Sequence, residues 1–146
     1  MVSLKPSFPS QSSLLSIYAA ERHAFLSACK DGLYREAHSL LEKGASAHVD
    51  SYDRDGLTAL MCASKEGHYE VVELLLGKGA QVDLQDSRGW SALMYSCASG
   101  HSRVAKVLLE YGANADLQSC SWESAYSLAL LHEDPKMSTL LEEEAS

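Results

Sequence analysis

The sequence lacks the features that mark several classes of protein. None of its four cysteines forms a C-x-x-C pair, and its six histidines complete no zinc-binding pattern. No apolar run approaches the roughly 18 residues that a membrane-spanning helix needs, and the N-terminus makes a poor secretory signal. The formal net charge is −8 without a cluster of lysine or arginine, which argues against nucleic acid and anionic membranes as partners. Isolated, reduced cysteines are typical of a cytoplasmic or nuclear protein.

No catalytic motif has the context that its chemistry requires. Residues 27–30 read S-A-C-K, but the companion motifs of penicillin-binding enzymes are missing. Residues 77–79 read G-K-G, but they end a helical pattern instead of following a strand, and the third glycine of a phosphate-binding loop is missing. We therefore expect no catalytic residue, no cofactor and no metal, and we expect that the chain is not an enzyme.

What the sequence does contain is a repeat. When residues 53–85 are aligned without gaps with residues 86–118, fifteen of 33 positions are identical. The identities fall mainly on glycines and apolar residues, which a repeated structural unit has to keep. The period therefore reflects a structural unit rather than a biased composition.

Each copy predicts two short helices. Thr58 or Ser91 stands where the N-cap of the first helix belongs, and Gly67 or Gly100 ends that helix. A second helix has one apolar face, a Gly-Ala pair closes it, and an extended turn leads to the next copy. Helices of two or three turns fall below the roughly 12–15 residues at which an isolated helix is even marginal. Each unit must therefore stack on a neighbour.

Weaker copies flank the two clear ones. Upstream, Ser13 fits the N-cap of a helix whose apolar residues recur every three or four positions. Downstream, Trp122 replaces the turn glycine and Glu133 replaces the glycine between the helices. The turn around residues 46–52 is two residues longer than its counterparts. The sequence predicts a disordered leader followed by one repeat domain: leader 1–12, domain 13–144, units about 20–52, 53–85, 86–118 and 119–144.

The unit resembles the ankyrin repeat. The family's pattern is matched in the second unit by Asp53, Gly56, Thr58, Leu60, Ala63, Gly67, His68, Val71, Val72, Leu74, Leu75, Leu76, Gly79 and Ala80. The resemblance covers about residues 20–144 and implies an all-α solenoid of about four helix-turn-helix repeats joined by hairpin turns. The chain departs from the family where Ala59 replaces a proline and Met61 replaces a histidine, and the next unit repeats both changes. The family's Thr-to-His hydrogen bond is therefore absent.

Several residues that could signal chemistry are better explained by the repeat. Cys29 and Cys97 occupy the same place in their units, where a small hydrophobic residue fits, so we expect both to be buried. Cys120 falls in a hairpin turn, so it is the cysteine that we expect to be exposed and the one to test for oxidation. His68 and His101 recur with the period, so we expect them to cap and pack rather than to act as ligands or bases.

Positions that differ between units are free to specify a partner. In ankyrin proteins such positions line the concave face and the hairpin tips. Trp90 is the strongest candidate, flanked by Arg88 and Arg54, although it could equally pack on a neighbouring hairpin; Trp122 is expected to pack. Carried over position by position, the candidate partner-binding residues are Arg54, Asp55, Leu57, Lys65, Glu66, Ser87, Arg88, Trp90, Ala98, Ser99, Cys120, Ser121, Glu123 and His132.

The resemblance implies a protein–protein interaction module that acts as an adaptor, scaffold or inhibitor. We expect the partner to be another protein and the chain to be a monomer when unbound. The alternative is a regulatory or targeting fragment of a larger enzyme or signalling protein. A structural spacer without a dedicated partner is a third hypothesis, which a broad interaction screen separates from the first.

Overall fold

The structure, a computed structural model, describes residues 10–44 and 48–145. Within these ranges the chain forms eight α-helices arranged as four consecutive pairs, which confirms the predicted all-α repeat fold. The turns carry two isolated antiparallel bridges, Tyr52 with Thr58 and Gln118 with Ser124. The helices are α1 Gln11–Lys30, α2 Tyr34–Glu42, α3 Ala59–Glu66, α4 Tyr69–Gly77, α5 Ala92–Ala98, α6 Ser102–Glu110, α7 Ala125–Leu131 and α8 Pro135–Ala145.

The four pairs stack so that the helices form two layers. The first layer contains α1, α3, α5 and α7, and the second layer contains α2, α4, α6 and α8. One continuous core fills the space between the layers and between successive pairs, with Leu60, Leu75, Leu93 and Leu108 among its buried side chains. Across the described ranges, no helix is long and apolar enough to cross a membrane.

Short polar side chains set the starts of the first-layer helices. Thr58, Ser91 and Ser124 are the N-caps of α3, α5 and α7, and each side-chain oxygen accepts the backbone N–H three residues later. In α3 the Thr58 N–H also donates to Met61 Sδ at 3.4 Å. A weak N–H···S contact therefore closes the capping box where the family's histidine is missing.

Left-handed residues lie where the period predicts them. Gly67 and Gly100 end α3 and α5 with φ of 77° and 74°. Trp122 and Glu133 keep this conformation in the last unit, with φ of 63° and 50°, although they carry side chains. Because left-handed backbone costs a residue with a Cβ about 1–2 kcal/mol, the stack imposes this geometry against the local preference of both residues.

The start of the first helix corrects the prediction. The helix begins at Gln11, and Ser10 rather than Ser13 is its N-cap, because Ser10 Oγ accepts the Ser13 N–H at 3.2 Å. The predicted leader over residues 1–12 is therefore wrong for residues 10–12, while residues 1–9 lie outside the described residues. The longer turn predicted around residues 46–52 also falls partly outside them, at residues 45–47.

Candidate partner-binding surface

The fourteen residues predicted from the differences between units form what we call the variable surface. The structure places them in the turns between pairs and at the C-terminal ends of α3, α5 and α7. Four of them are half-buried: Leu57, Trp90, Ala98 and Glu123. The other ten are exposed: Arg54, Asp55, Lys65, Glu66, Ser87, Arg88, Ser99, Cys120, Ser121 and His132.

Each turn folds around one side-chain acceptor. Asp53 Oδ1 and Asp86 Oδ1 each accept the backbone N–H groups two and four residues later, at 2.9 to 3.0 Å. In the turn before α7, Ser119 Oγ accepts the backbone N–H groups of Ser121 and Glu123, both at 3.1 Å. The sequence comparison missed this role because serine is not identical to aspartate. The available signal was that both are short acceptors that favour such turns.

The turns are also joined to one another through the backbone. The Ser87 N–H donates to the Asp55 carbonyl at 3.2 Å, and the Cys120 N–H donates to the Arg88 carbonyl at 2.9 Å. Four predicted binding residues therefore hold the turns in a fixed row through their main chain, while their side chains are exposed. A partner would meet a surface whose backbone is already ordered.

Trp90 lies at the centre of a compact polar and aromatic cluster. Its ring centroid is 5.0 Å from that of Tyr95, and Arg88 Cζ lies 5.0 Å from the Trp90 ring centroid. Arg88 Nη2 donates to the Tyr95 hydroxyl at 3.0 Å, and that hydroxyl donates to Asp86. The predicted flanking of Trp90 by Arg88 is therefore present, while Arg54 lines a different depression.

The Tyr95 hydroxyl of this cluster stays protonated near neutral pH. Burial, followed by the hydrogen bond to Asp86, raises the pKa of Tyr95 to about 12. The hydroxyl thus stays neutral and keeps donating to Asp86, which in turn accepts the N–H groups of Arg88 and Trp90. Trp90 packs within its own repeat against the core and keeps part of its ring exposed.

The turn before α3 lines a separate depression next to α1. Its volume is 340 Å³, and its lining includes Arg54, Tyr52, Arg22 and His23. A second and larger cavity, of 580 Å³, opens between α6 and α8 and includes Arg103, Lys106 and Lys136 in its lining. Sequence reasoning named neither, because both combine residues from different units.

Trp122 contradicts its prediction. We expected it to pack, but its side chain is 79% exposed. The reason lies in the neighbouring turns. Gly89 is the equivalent residue in the preceding turn, and a Cβ there would lie 2.9 Å from Cys120 N. The turn that packs on Gly89 therefore leaves no room for a side chain. In the described part of the chain, no turn packs on Trp122 in this way.

The recurring histidines pack between successive pairs, as predicted, but neither side chain caps the helix that it precedes. His68 Nε2 lies 2.8 Å from the Lys30 carbonyl, and His101 Nε2 lies 3.1 Å from the Lys65 carbonyl. Each ring therefore satisfies a carbonyl at the end of the preceding first-layer helix. The same rings fill the space beside Gly32 and Gly67.

The cysteines follow the repeat as well. Cys29 and Cys97 are fully buried, and burial raises the pKa of each thiol to about 12, which makes both poor nucleophiles. Cys120 is exposed, as predicted. Among residues 10–44 and 48–145, no group of three or more His, Cys, Asp or Glu is placed to hold a metal ion.

Comparison with known families agrees with this geometry. A family model described as ankyrin repeats (3 copies) matches residues 25–119, from α1 to the last turn. A comparison with curated proteins gives no match. Ankyrin repeats are in general protein–protein interaction modules, and domains built from them are typically non-catalytic. With more than half of its length matched and four stacked helix pairs, the chain belongs to the ankyrin repeat family.

Proposed function

We propose that this protein binds another protein through the variable surface and serves as an adaptor, scaffold or inhibitor without chemistry of its own. The observation that carries the proposal is the cluster around Trp90. A half-buried tryptophan, a guanidinium beside its ring and a buried tyrosine beneath are held together by hydrogen bonds within one turn and helix. Tryptophan, tyrosine and arginine are the residues that most often dominate binding energy.

The order of this surface supports binding on thermodynamic grounds. Association costs free energy when side chains and loops must be immobilised. Here Asp86 already fixes the backbone of Arg88 and Trp90, and backbone bonds already join neighbouring turns. Binding a partner therefore costs little free energy for ordering this surface, and more of the contact energy remains as affinity.

The experiment is an affinity purification with mass spectrometry, run on the parent and on Trp90→Ala. We expect the main partner's affinity to fall by about tenfold or more, because truncating a central aromatic anchor typically costs at least about 1.4 kcal/mol. Circular dichroism should show nearly unchanged helix content, since Ser91 remains as the N-cap of α5.

Tyr111→Ala is the matched control, because Tyr111 is an exposed aromatic residue at the end of α6 and outside the variable surface. It should leave partner binding intact. If the partner binds Trp90→Ala as tightly as the parent, the assignment of the variable surface is wrong.

We also infer a reducing location, cytoplasmic or nuclear, for a chain that is monomeric when unbound. All four cysteines are unpaired, which supports such a location. Thiol titration of protein isolated under alkylating conditions tests the inference. Recovery of a disulfide-bonded form from cells would contradict it.

A further inference from the structure

The fourth helix pair carries large apolar side chains that the described residues leave exposed. It consists of Trp122 in the last turn and of Tyr126 and Leu130 on α7, and we call these three residues the end face. Tyr126 is 40% exposed and Leu130 is 50% exposed. Side chains of this size are normally covered when they lie together on a folded protein.

The repeat register shows what these positions do elsewhere. One period earlier, Leu93 and Cys97 hold the places of Tyr126 and Leu130, and both are buried in α5, which packs between α3 and α7. Phe25 has the same register in α1, whose neighbour in the first layer is α3, and it is fully buried. The end face therefore continues the helix-to-helix interface of the first layer, and its geometry suits one more helix laid beside α7.

A further ankyrin repeat in the same register would bring its turn against the Trp122 side chain. The turn of such a repeat would have to pack on Trp122 as the last turn packs on Gly89, where a Cβ would lie only 2.9 Å from a backbone nitrogen. A histidine placed as His101 is would meet Glu133, since a Cβ on the equivalent Gly67 would lie 2.7 Å from the His101 ring. A single helix without the repeat's turn avoids both contacts.

The charge around the end face specifies the chemistry of that helix. Residues 119–146 contain six acidic residues and one lysine. Glu133 and Glu142 are exposed, and Glu142 Oε1 accepts the Tyr126 hydroxyl at 3.3 Å, which brings a carboxylate to the edge of the apolar surface. A helix whose apolar stripe is flanked by lysine or arginine complements both features.

We propose that the end face docks a basic amphipathic helix of a partner protein. This site is separate from the variable surface and goes beyond the proposed function. Leu130 and Tyr126 are spaced four residues apart on α7, so they form one ridge that the partner's apolar stripe covers. Trp122 forms the wall beside that ridge, and the carboxylates contact the basic flanks.

The test uses a fluorescent leucine–lysine model peptide that forms an amphipathic helix, with fluorescence anisotropy as readout. We expect the parent to bind this peptide, and we expect Trp122→Gly and Leu130→Ser each to weaken binding by about tenfold or more. Neither variant removes a charge or a buried side chain, so lost affinity reports the end face rather than misfolding. Trp90→Ala should bind the peptide like the parent, which separates this site from the variable surface.

A second readout uses Trp122 itself. The chain has two tryptophans, so Trp90→Phe leaves Trp122 as the single emitter. Its emission should shift to the blue when the peptide covers it. Three results would overturn the proposal: no binding to the parent, equal binding by both end-face variants, or equal binding of a peptide with glutamate in place of lysine. Self-association of the parent that Trp122→Gly abolishes would also overturn it, because a second copy would then be the occupant.

Discussion

The two central repeats and the terminal helix pairs share one pattern but differ in how many neighbours cover them. In α5, which packs between α3 and α7, six of seven residues are buried; in α7 only three of seven are buried. In α1 three of twenty residues are buried. Burial therefore follows the number of neighbouring helices more closely than it follows the apolar content of a helix, as expected for a linear stack.

The junctions between pairs differ as well. Histidine joins the second pair to the first and the third pair to the second. At the equivalent position of the last pair stands Asp134, whose carboxylate instead accepts the Lys136 N–H of its own helix. The 580 Å³ cavity between α6 and α8 lies at this same junction. The last pair thus lacks the histidine contact that joins the other pairs, and we expect it to open at lower free energy than the centre.

The largest loss of stability is expected from a substitution of Leu108 in α6, which we compare with Leu141 at the same register in α8. Leu108→Ala should lower the free energy of unfolding by about 2–5 kcal/mol, because it leaves a cavity in a helix with neighbours on both sides. Leu141→Ala should cost less, because among the described residues α8 has a second-layer neighbour, α6, on one side only. Urea unfolding followed by circular dichroism measures both. An equal or larger loss in Leu141→Ala would contradict the neighbour argument.

A smaller effect compares the two glycines that end α3 and α5. Both are left-handed, so Gly67→Ala and Gly100→Ala share a strain of about 1 kcal/mol. Gly67→Ala should lose about 1 kcal/mol more, because its Cβ displaces the His101 ring from the Lys65 carbonyl. Gly100 has no such neighbour within 4 Å among the described residues. Equal unfolding free energies for the two variants would show that the histidine bond adds nothing to stability.

The repeat could be predicted from sequence because its determinants are local and recur. Thr58 and Ser91 cap their helices, and Gly67 and Gly100 end them, through contacts within a few residues. The start of α1 was misplaced because Ser10 and Ser13 are both possible caps, and the end of a stack has no second copy to compare. The exposure of Trp122 depends on which turn lies beyond it, and local spacing carries no such information.

The smallest expected change in stability concerns Trp122, in the turn before α7. Trp122→Gly should raise the free energy of unfolding by up to about 1 kcal/mol, because glycine accepts a φ of 63° without strain and the exposed ring contributes little packing. Gly89→Ala is its counterpart in the preceding turn and should lower that free energy, since its Cβ would press on the backbone at Cys120. Urea unfolding of both variants compares the two turns directly. If Trp122→Gly is instead less stable than the parent, the exposed ring contributes to the fold, and a loss of peptide binding in that variant would no longer isolate the end face. If it is more stable, the tryptophan is kept at a cost to folding, as a residue selected for binding would be.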